Sequence, residues 1–475
     1  MIGEDMYQLS KYLRILPRKD DFAVYHSLFG RLCIVDRALV ELLYFFKTPR
    51  YFEEAYNKND CTEELLRDFL NIFGSRSFIV SPDENCSSWI KYYNDLRRES
   101  LKTGEQISII QLVVTNNCNF RCSYCFVNSI YSYKKRLDLQ VSKNNKVMSP
   151  EIATVSIETV IELLRKNGKQ SLQIQFFGGE PIINWSVIEH VLETFGDGIN
   201  HGIKISYSIV TNGSLIDEKI SEYLKRHKVA VIISFDSPKD RHRILADGTE
   251  SIHTVEGCLA NLVKYDNRVV FNSVLCEDTF NFFDEDIVNF ALRYNVKEIG
   301  VLLDLDPSFY ENRSIEDIVD KLWKIYKYAQ SQGVVITGYW HAIFQQMLMR
   351  DFPDDRGYRT CSATGCQLSI EPTGDIFACK GSSGYFGHIS DLSGLLTSEM
   401  YMNYGMRAFH IAPECLECEI QNFCSGFCLG PLEKKYGNIY VIERNACGVY
   451  RELTRRLIMD IDKDNVDVFH INNNV

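Results

Sequence analysis

The stretch CNFRCSYCF, residues 118 to 126, places Cys118, Cys122 and Cys125 within eight positions, directly after the apolar run ISIIQLVV. Thiolates are soft ligands suited to zinc or to iron-sulfur clusters, and three of them on one short loop cap a metal centre from one side. A fourth position then stays open to a ligand that is not protein. Closed zinc sites pair two C-x2-C knuckles, and this loop has no partner knuckle in its own part of the chain. A disulfide would use only two of the three thiols. A second set lies near the C-terminus: Cys361, Cys366, Cys379, Cys415, Cys418, Cys424, Cys428 and Cys447, with CLECEIQNFCSGFC reading C-x2-C-x5-C-x3-C. Four thiolates of that set can close a zinc tetrahedron as well as hold clusters.

The chain that must position these groups has 475 residues, 45% hydrophobic and 24% charged, which is a globular composition long enough for two or three domains. Its net charge of -11 disfavours binding to a nucleic-acid backbone, and the compact basic cluster KKR at 134 to 136 reads as a solvated loop face. The N-terminus MIGEDMYQLSKYLR lacks a basic region followed by an apolar one, and no window approaches a membrane span. A cytoplasmic protein with no membrane partner is expected. In a large leaderless chain, 16 cysteines point to metal or redox duty rather than to a disulfide framework.

Three parts follow from the patterning. In residues 1 to 100, DFAVYHSLFGRLCIVD reads as a hairpin turning at Gly30, RALVELLYFF and TEELLRDFLNIFG as helices, SFIV as a closing strand, and SPDENCSSWIKYYNDLRRES as a linker. That is a winged-helix-like unit. Residues 101 to 335 alternate apolar strands (SIIQLVV, LQIQFF, IKISYSIV, VAVIISF, RVVFNSVL, KEIGVLLD) with helices, one of them capped by Ser149 with Pro150 in its first turn and Gly168 past its end. Six βα units predict a parallel α/β sheet, open or curled into a partial (β/α)6 TIM-like barrel, with function collected at the strand ends. Residues 336 to 475 lose that rhythm and predict a loop-rich domain held by metal.

At this point the residues resemble a known family. C-x3-C-x2-C after the first strand of a βα repeat, with Tyr124 before the last cysteine, resembles the signature of the radical S-adenosylmethionine (SAM) enzymes. The resemblance implies a [4Fe-4S] cluster on Cys118, Cys122 and Cys125, whose fourth iron chelates SAM. FFGGEP resembles the family's GGE motif, which assigns Gly178, Gly179 and Glu180 to the methionine ammonium; glycines allow close backbone approach and the carboxylate supplies opposite charge. SIVTNGSLI places Ser208 near the SAM carboxylate and Asn212 near its ribose. ISFDSPKDRHR gives Ser234, Asp236 and Arg243, with Ser237 in place of a usual glycine. Each polar residue alone reads as a cap or turn; their order along one repeat is what carries the resemblance.

The C-terminal spacing, with Gly374 five positions before Cys379, resembles the SPASM domain, implying two auxiliary [4Fe-4S] clusters: Cys361, Cys366, Cys379 and Cys428 for the first, Cys415, Cys418, Cys424 and Cys447 for the second. Three clusters then use eleven of the 16 cysteines, leaving Cys33, Cys61, Cys86, Cys258 and Cys276 as small hydrophobes. Should Cys361 or Cys366 not be a ligand, the first auxiliary cluster keeps an open iron. The N-terminal unit is similar to the recognition element that holds leader peptides of ribosomally made, modified peptides. Together these imply a peptide maturase: a 5'-deoxyadenosyl radical takes a hydrogen from a precursor peptide carrying a leader segment, installing a thioether or carbon-carbon crosslink. An electron donor such as flavodoxin or ferredoxin is the second implied partner. Two alternatives stand beside it. One is a formylglycine-forming enzyme like the anaerobic sulfatase maturases, which carry aspartate where this chain has Lys380. The other is a zinc-stapled binding protein without catalysis.

Overall fold

The computed structural model describes residues 6–51, 53–55, 62–84, 86–127, 147–348, 361–408 and 412–470. The basic cluster at 134 to 136 and Cys61 lie outside the described residues, as does the side chain of Cys86.

Of the N-terminal strands, β1 (Met6–Leu9) and β2 (Leu13–Pro17) are half-buried, whereas β3 (Phe22–His26) and β4 (Gly30–Val35) are buried on both faces, and β2, β3 and β4 pair antiparallel. Gly30 turns the hairpin at φ +73°, where a Cβ would stand 2.9 Å from the Met347 carbonyl oxygen. Helices α1 (Arg37–Phe45) and α2 (Glu63–Ser75) start at side-chain caps, Asp36 accepting from the Leu39 N–H and Thr62 from the Leu65 N–H. Between and after them, β5 (Arg50–Tyr51) and β6 (Ile79–Val80) flank β1. Val24, Cys33, Leu39, Leu43, Phe46, Leu66, Phe69 and Phe73 form a core separate from the main one.

The stretch expected to be a linker is instead a 17-residue helix, α3 (Cys86–Lys102). Its aromatic residues Trp89 and Tyr92 stay exposed, so apolar periodicity gave no signal. Tertiary contacts hold it: buried Arg97 donates to the carbonyls of Gly405 (2.7 Å) and Thr364 (2.5 Å) and to the Gln106 side chain (3.3 Å), beside buried Leu101.

The parallel strands are β7 (Ile109–Thr115), β8 (Ser171–Gly178), β9 (Lys204–Thr211), β10 (Ala230–Ser234), β11 (Val269–Leu275), β12 (Glu298–Leu303) and β13 (Val335–Thr337). They stand side by side in chain order, separated by α4 (Pro150–Lys166), α5 (Trp185–Phe195), α6 (Glu218–Arg226), α7 (Ile252–Lys264), α8 (Asp286–Arg293) and α9 (Ile315–Ser331). Ser149 caps α4 as expected, accepting from the Ile152 N–H. The α/β fold with a partial, unclosed TIM-like barrel is thus the observed architecture. The sheet crosses the division expected at 335. β13 spans it, and beyond α10 (Tyr339–Leu348), β14 (Gln367–Ile370) joins β7 in parallel, followed antiparallel by β15 (Asp375–Phe377) and β16 (Tyr385–His388). Ten strands therefore form one sheet, which β14, β15 and β16 extend beyond β7.

The chain closes with α11 (Arg444–Asp460) and β17 (Asp467–Phe469), which pairs in parallel with β4. Among the described residues, no helix is long and apolar enough to cross a membrane.

Candidate active site

The three-cysteine loop leaves the end of β7 and is zipped to the segment after β10. Arg121 N–H donates to the Ile244 carbonyl (2.8 Å), Ser123 N–H to that of His242 (3.2 Å) and Ala246 N–H to that of Asn119 (2.9 Å). This holds Cys118, Cys122 and Cys125 together, so that a negative charge on one raises the pKa of another. Burial pushes the Cys122 thiol up to about 11 and raises Cys118, while the Arg243 guanidinium pulls both down. The protein alone thus favours the neutral form of Cys118 and Cys122, and a cationic centre would reverse that balance. Among the described residues, no group of three His, Cys, Asp or Glu is arranged for a single metal ion. Thiolates on a four-iron cubane each bind a different iron and stand further apart.

Gly178 ends β8, Gly179 follows it, and the two meet the end of β7 and the start of the cysteine loop. A Cβ on either would lie 2.3 Å from a backbone oxygen, of Thr115 and of Asn117 respectively. The close approach that demands glycine is thus to the protein's own chain, beside any room it leaves for a ligand. Glu180 is fully buried, its carboxylate accepting from Thr211 Oγ1 (2.6 Å) and from the N–H groups of Asn212 (2.7 Å) and Ile182 (3.1 Å). Burial raises its pKa against those donors and Arg243. Asn212 donates to Asn119 Oδ1 (2.9 Å), which ties the TNG turn to the cysteine loop. Thr211 and Asn119 escaped the sequence reading because each is an ordinary turn residue until its partner is known.

Asp236 faces the loop rather than open space. It accepts from the Tyr124 hydroxyl and, at 2.6 Å, from the Val274 N–H, with the Arg243 guanidinium 3.8 Å away. Tyr124 and Arg243, both part-buried, thus join the fully buried Asp236 in one group that acts electrostatically on Cys122. Ser234 ends β10 opposite Asn272. Ser208 is buried on β9, and its hydroxyl has no hydrogen-bond partner among the described residues. A buried hydroxyl left unpaired costs stability unless a ligand satisfies it.

A cavity of about 530 Å³ opens beside the loop. Ser123, Tyr124, Cys125 and Phe126 form one wall; Cys276, Glu277, Asp304 and Asp306, beyond β11 and β12, form another; Gly381, Gly430 and Lys434 close it from the C-terminal part. Asp304 stands out chemically. Burial pushes its carboxyl up to about 6, against the Asp306 N–H donated to it at 2.9 Å. The sequence signal was only its place at a strand's C-terminal end, where catalytic groups of such folds collect.

Of the C-terminal thiols, Cys361, Cys379 and Cys428 act on one another electrostatically, and Cys366 acts on Cys361. Cys415, Cys418, Cys424 and Cys447 form a second group around a small enclosed cavity. Burial raises Cys428 and Cys415 to about 11 and Cys447 to about 12. Buried Arg407 lies beside thiols of both groups and donates to the carbonyls of Ile439 (2.7 Å), Ser425 (2.5 Å) and Phe427 (2.9 Å). Lys380 is buried, 3.2 Å from Glu371, and donates to Asn116 at the foot of the first loop. No disulfide joins the described cysteines.

The Radical SAM superfamily model matches residues 112–291. The radical SAM cyclopropyl synthase TigE of Paramaledivibacter caminithermalis is 48% identical over 460 residues, covering 96% of this chain and 97% of that protein. A cysteine-type anaerobic sulfatase-maturating enzyme of Clostridium perfringens is 25% identical over 348 residues, 68% of this chain and 88% of that one. Among solved structures, Streptococcus suis SuiB bound to precursor peptide SuiA aligns with a TM-score of 0.53 at 14% identity, covering 93% of this chain and 99% of that one. The last likeness is one of fold.

Proposed function

The chain belongs to the radical SAM superfamily, and from that premise we propose that it modifies a peptide by closing a cyclopropane ring between saturated carbons. The 48% identity with a cyclopropyl synthase, sustained over 96% of the chain, carries this reading. It narrows the carbon-carbon or thioether crosslink expected from the sequence to a ring within the substrate.

The residues present fit the cofactors. Cys118, Cys122 and Cys125 offer three thiolates and no fourth, and on β9 the buried Ser208 hydroxyl, unpaired among the described residues, can meet a polar ligand. When bound, a [4Fe-4S] cluster and SAM supply a 5'-deoxyadenosyl radical. In this assignment Arg243 and Tyr124 brace the cysteine loop through Asp236, and Glu180 fixes the TNG turn that would line SAM. A peptide seated in the cavity would cover its mouth and keep water from a carbon-centred radical. Ring closure removes two hydrogens: one leaves as an atom to the radical, the other as a proton with an electron left over. Asp304 is our candidate to accept that proton, since its carboxylate form exists above a pH of about 6. The eight C-terminal cysteines are suited to two further clusters that house the electron's acceptor. A precursor peptide held by the N-terminal unit and a flavodoxin- or ferredoxin-like donor complete the proposal.

Lys380, paired with Glu371, is a poor candidate for a base, which argues against formylglycine chemistry. Co-expression with each short open reading frame beside the gene tests the reading. The product should lack two hydrogen atoms, show the strongly shielded proton resonances of a cyclopropane, and retain its free thiols. A peptide aldehyde trapped by hydrazine, or a thiol lost to a thioether, would overturn it.

A further inference from the structure

The last described strand of this chain lies on the N-terminal unit. β17 pairs with β4 in parallel, Asp467 opposite Cys33, Val468 opposite Ile34 and Phe469 opposite Val35. It becomes the outer strand of that sheet, next to the C-terminal end of α2. Two side chains seat it. Asp467 accepts from Arg76 at 2.5 Å, and Phe469 packs edge-on against Phe73 with centroids 5.7 Å apart. The Arg76 guanidinium also lies 5.1 Å from the centre of the Phe469 ring and donates to the Arg31 carbonyl at 3.3 Å.

A sheet edge that supplies backbone groups, beside a helix end that supplies a cation and an aromatic face, has the parts of a strand-addition site for a peptide. β17 pairs with only three of the six residues of β4. Upstream, the tail is tethered where Arg18 donates to the Ile461 carbonyl (3.0 Å) and Lys463 meets Asp21 (2.7 Å). Such a tether makes the tail an intramolecular competitor at millimolar effective concentration, on the order expected for a short linker.

We propose that the groove between β4 and α2 docks the leader of the substrate peptide, that it selects an acidic residue two positions before an aromatic one, and that residues 467 to 469 are an internal occupant the leader displaces. This rests on the peptide-modifying reading above. It identifies the docking chemistry from the occupant itself.

The test uses a fluorescein-labelled synthetic peptide with the sequence of residues 462 to 475, titrated against the cluster-loaded full chain and against a chain ending at Val466. The shortened chain should bind the probe at least tenfold more tightly than the full chain, and Arg76→Ala in it, or alanine for phenylalanine in the probe, should abolish binding. Equal binding to both chains, or binding to neither, overturns the proposal. Should the shortened chain unfold, the full-length Asp467→Ala, Phe469→Ala variant takes its place. It keeps 5'-deoxyadenosine release and should admit the probe, and no gain in binding overturns the inference. A full-chain dimer dissolved by the truncation would assign the strand to a second copy and also overturn it. Failure of the two readings is separable. A peptide modified equally by wild type and Arg76→Ala removes the groove and spares the function, whereas probe binding without any modified peptide spares the groove and removes the function.

Discussion

Three thiols within eight positions of one loop make up the first cysteine site, whereas the C-terminal eight run from Cys361 to Cys447 over loops, strand ends and the first turn of α11. The first set is held by a backbone zipper to residues 242 to 246 and by Tyr124 and Arg243 gathered on the buried Asp236. The second is held from between, by Arg407 donating to three carbonyls. The contrast teaches that ligand count and scaffold go together. A local loop can leave a metal corner open because the barrel, not the metal, keeps it folded. Dispersed thiols instead gain their geometry from the centre they bind, so in the proposed assignment those clusters are structural as well as redox-active.

Breaking the first site should have the largest effect. A Cys118→Ala, Cys122→Ala, Cys125→Ala variant should keep its fold and lose about a third of its iron, one cubane of three. Release of 5'-deoxyadenosine from SAM and dithionite, followed by chromatography, should fall to background. The second site should show the opposite pattern. Cys424→Ala with Cys447→Ala should leave 5'-deoxyadenosine release intact while lowering Tm by on the order of 10 °C, read by calorimetry under argon.

Asp304→Asn sharpens the division between radical generation and product formation. It should still transfer substrate deuterium into 5'-deoxyadenosine yet form product about 100-fold more slowly, the lower end for loss of a general base. Because burial raises this carboxyl to about 6, wild-type product per 5'-deoxyadenosine should climb as pH rises through that value. The variant should show no such climb. The smallest effect is expected at Ser208. Removing its unpaired hydroxyl in Ser208→Ala should raise stability without SAM by about 1 kcal/mol, while KM for SAM rises several-fold.

The barrel was legible because its strands read as short stretches rich in Ile, Val and Phe, β7 buried almost throughout and β8, β10 and β12 alternating, and because α4 advertises its start with Ser149 and Pro150. The cysteine motifs were legible because spacing survives in one dimension. Contacts between distant segments were not. α3 was hidden because Arg97, binding carbonyls of residues 364 and 405, holds it in place of an apolar stripe. β14 and β17 are four- and three-residue segments whose partners lie far away in sequence, and so short a segment carries no period of its own. The tight fit at Gly178 and Gly179 was legible only in part, since their nearest neighbours are the carbonyls of Thr115, which ends β7, and of Asn117, and no spacing along the chain announces that approach. Asp304 was read merely as a strand end, because nothing in LLDLDPSF announces the burial that shifts its titration.

Low-temperature electron paramagnetic resonance of the dithionite-reduced, oxygen-free protein, recorded before and after adding SAM, tests the central claim most directly. The account predicts a cluster signal that shifts when SAM binds, with the shifting component absent from the triple-alanine variant. A spectrum indifferent to SAM, or one whose response survives that variant, would contradict it.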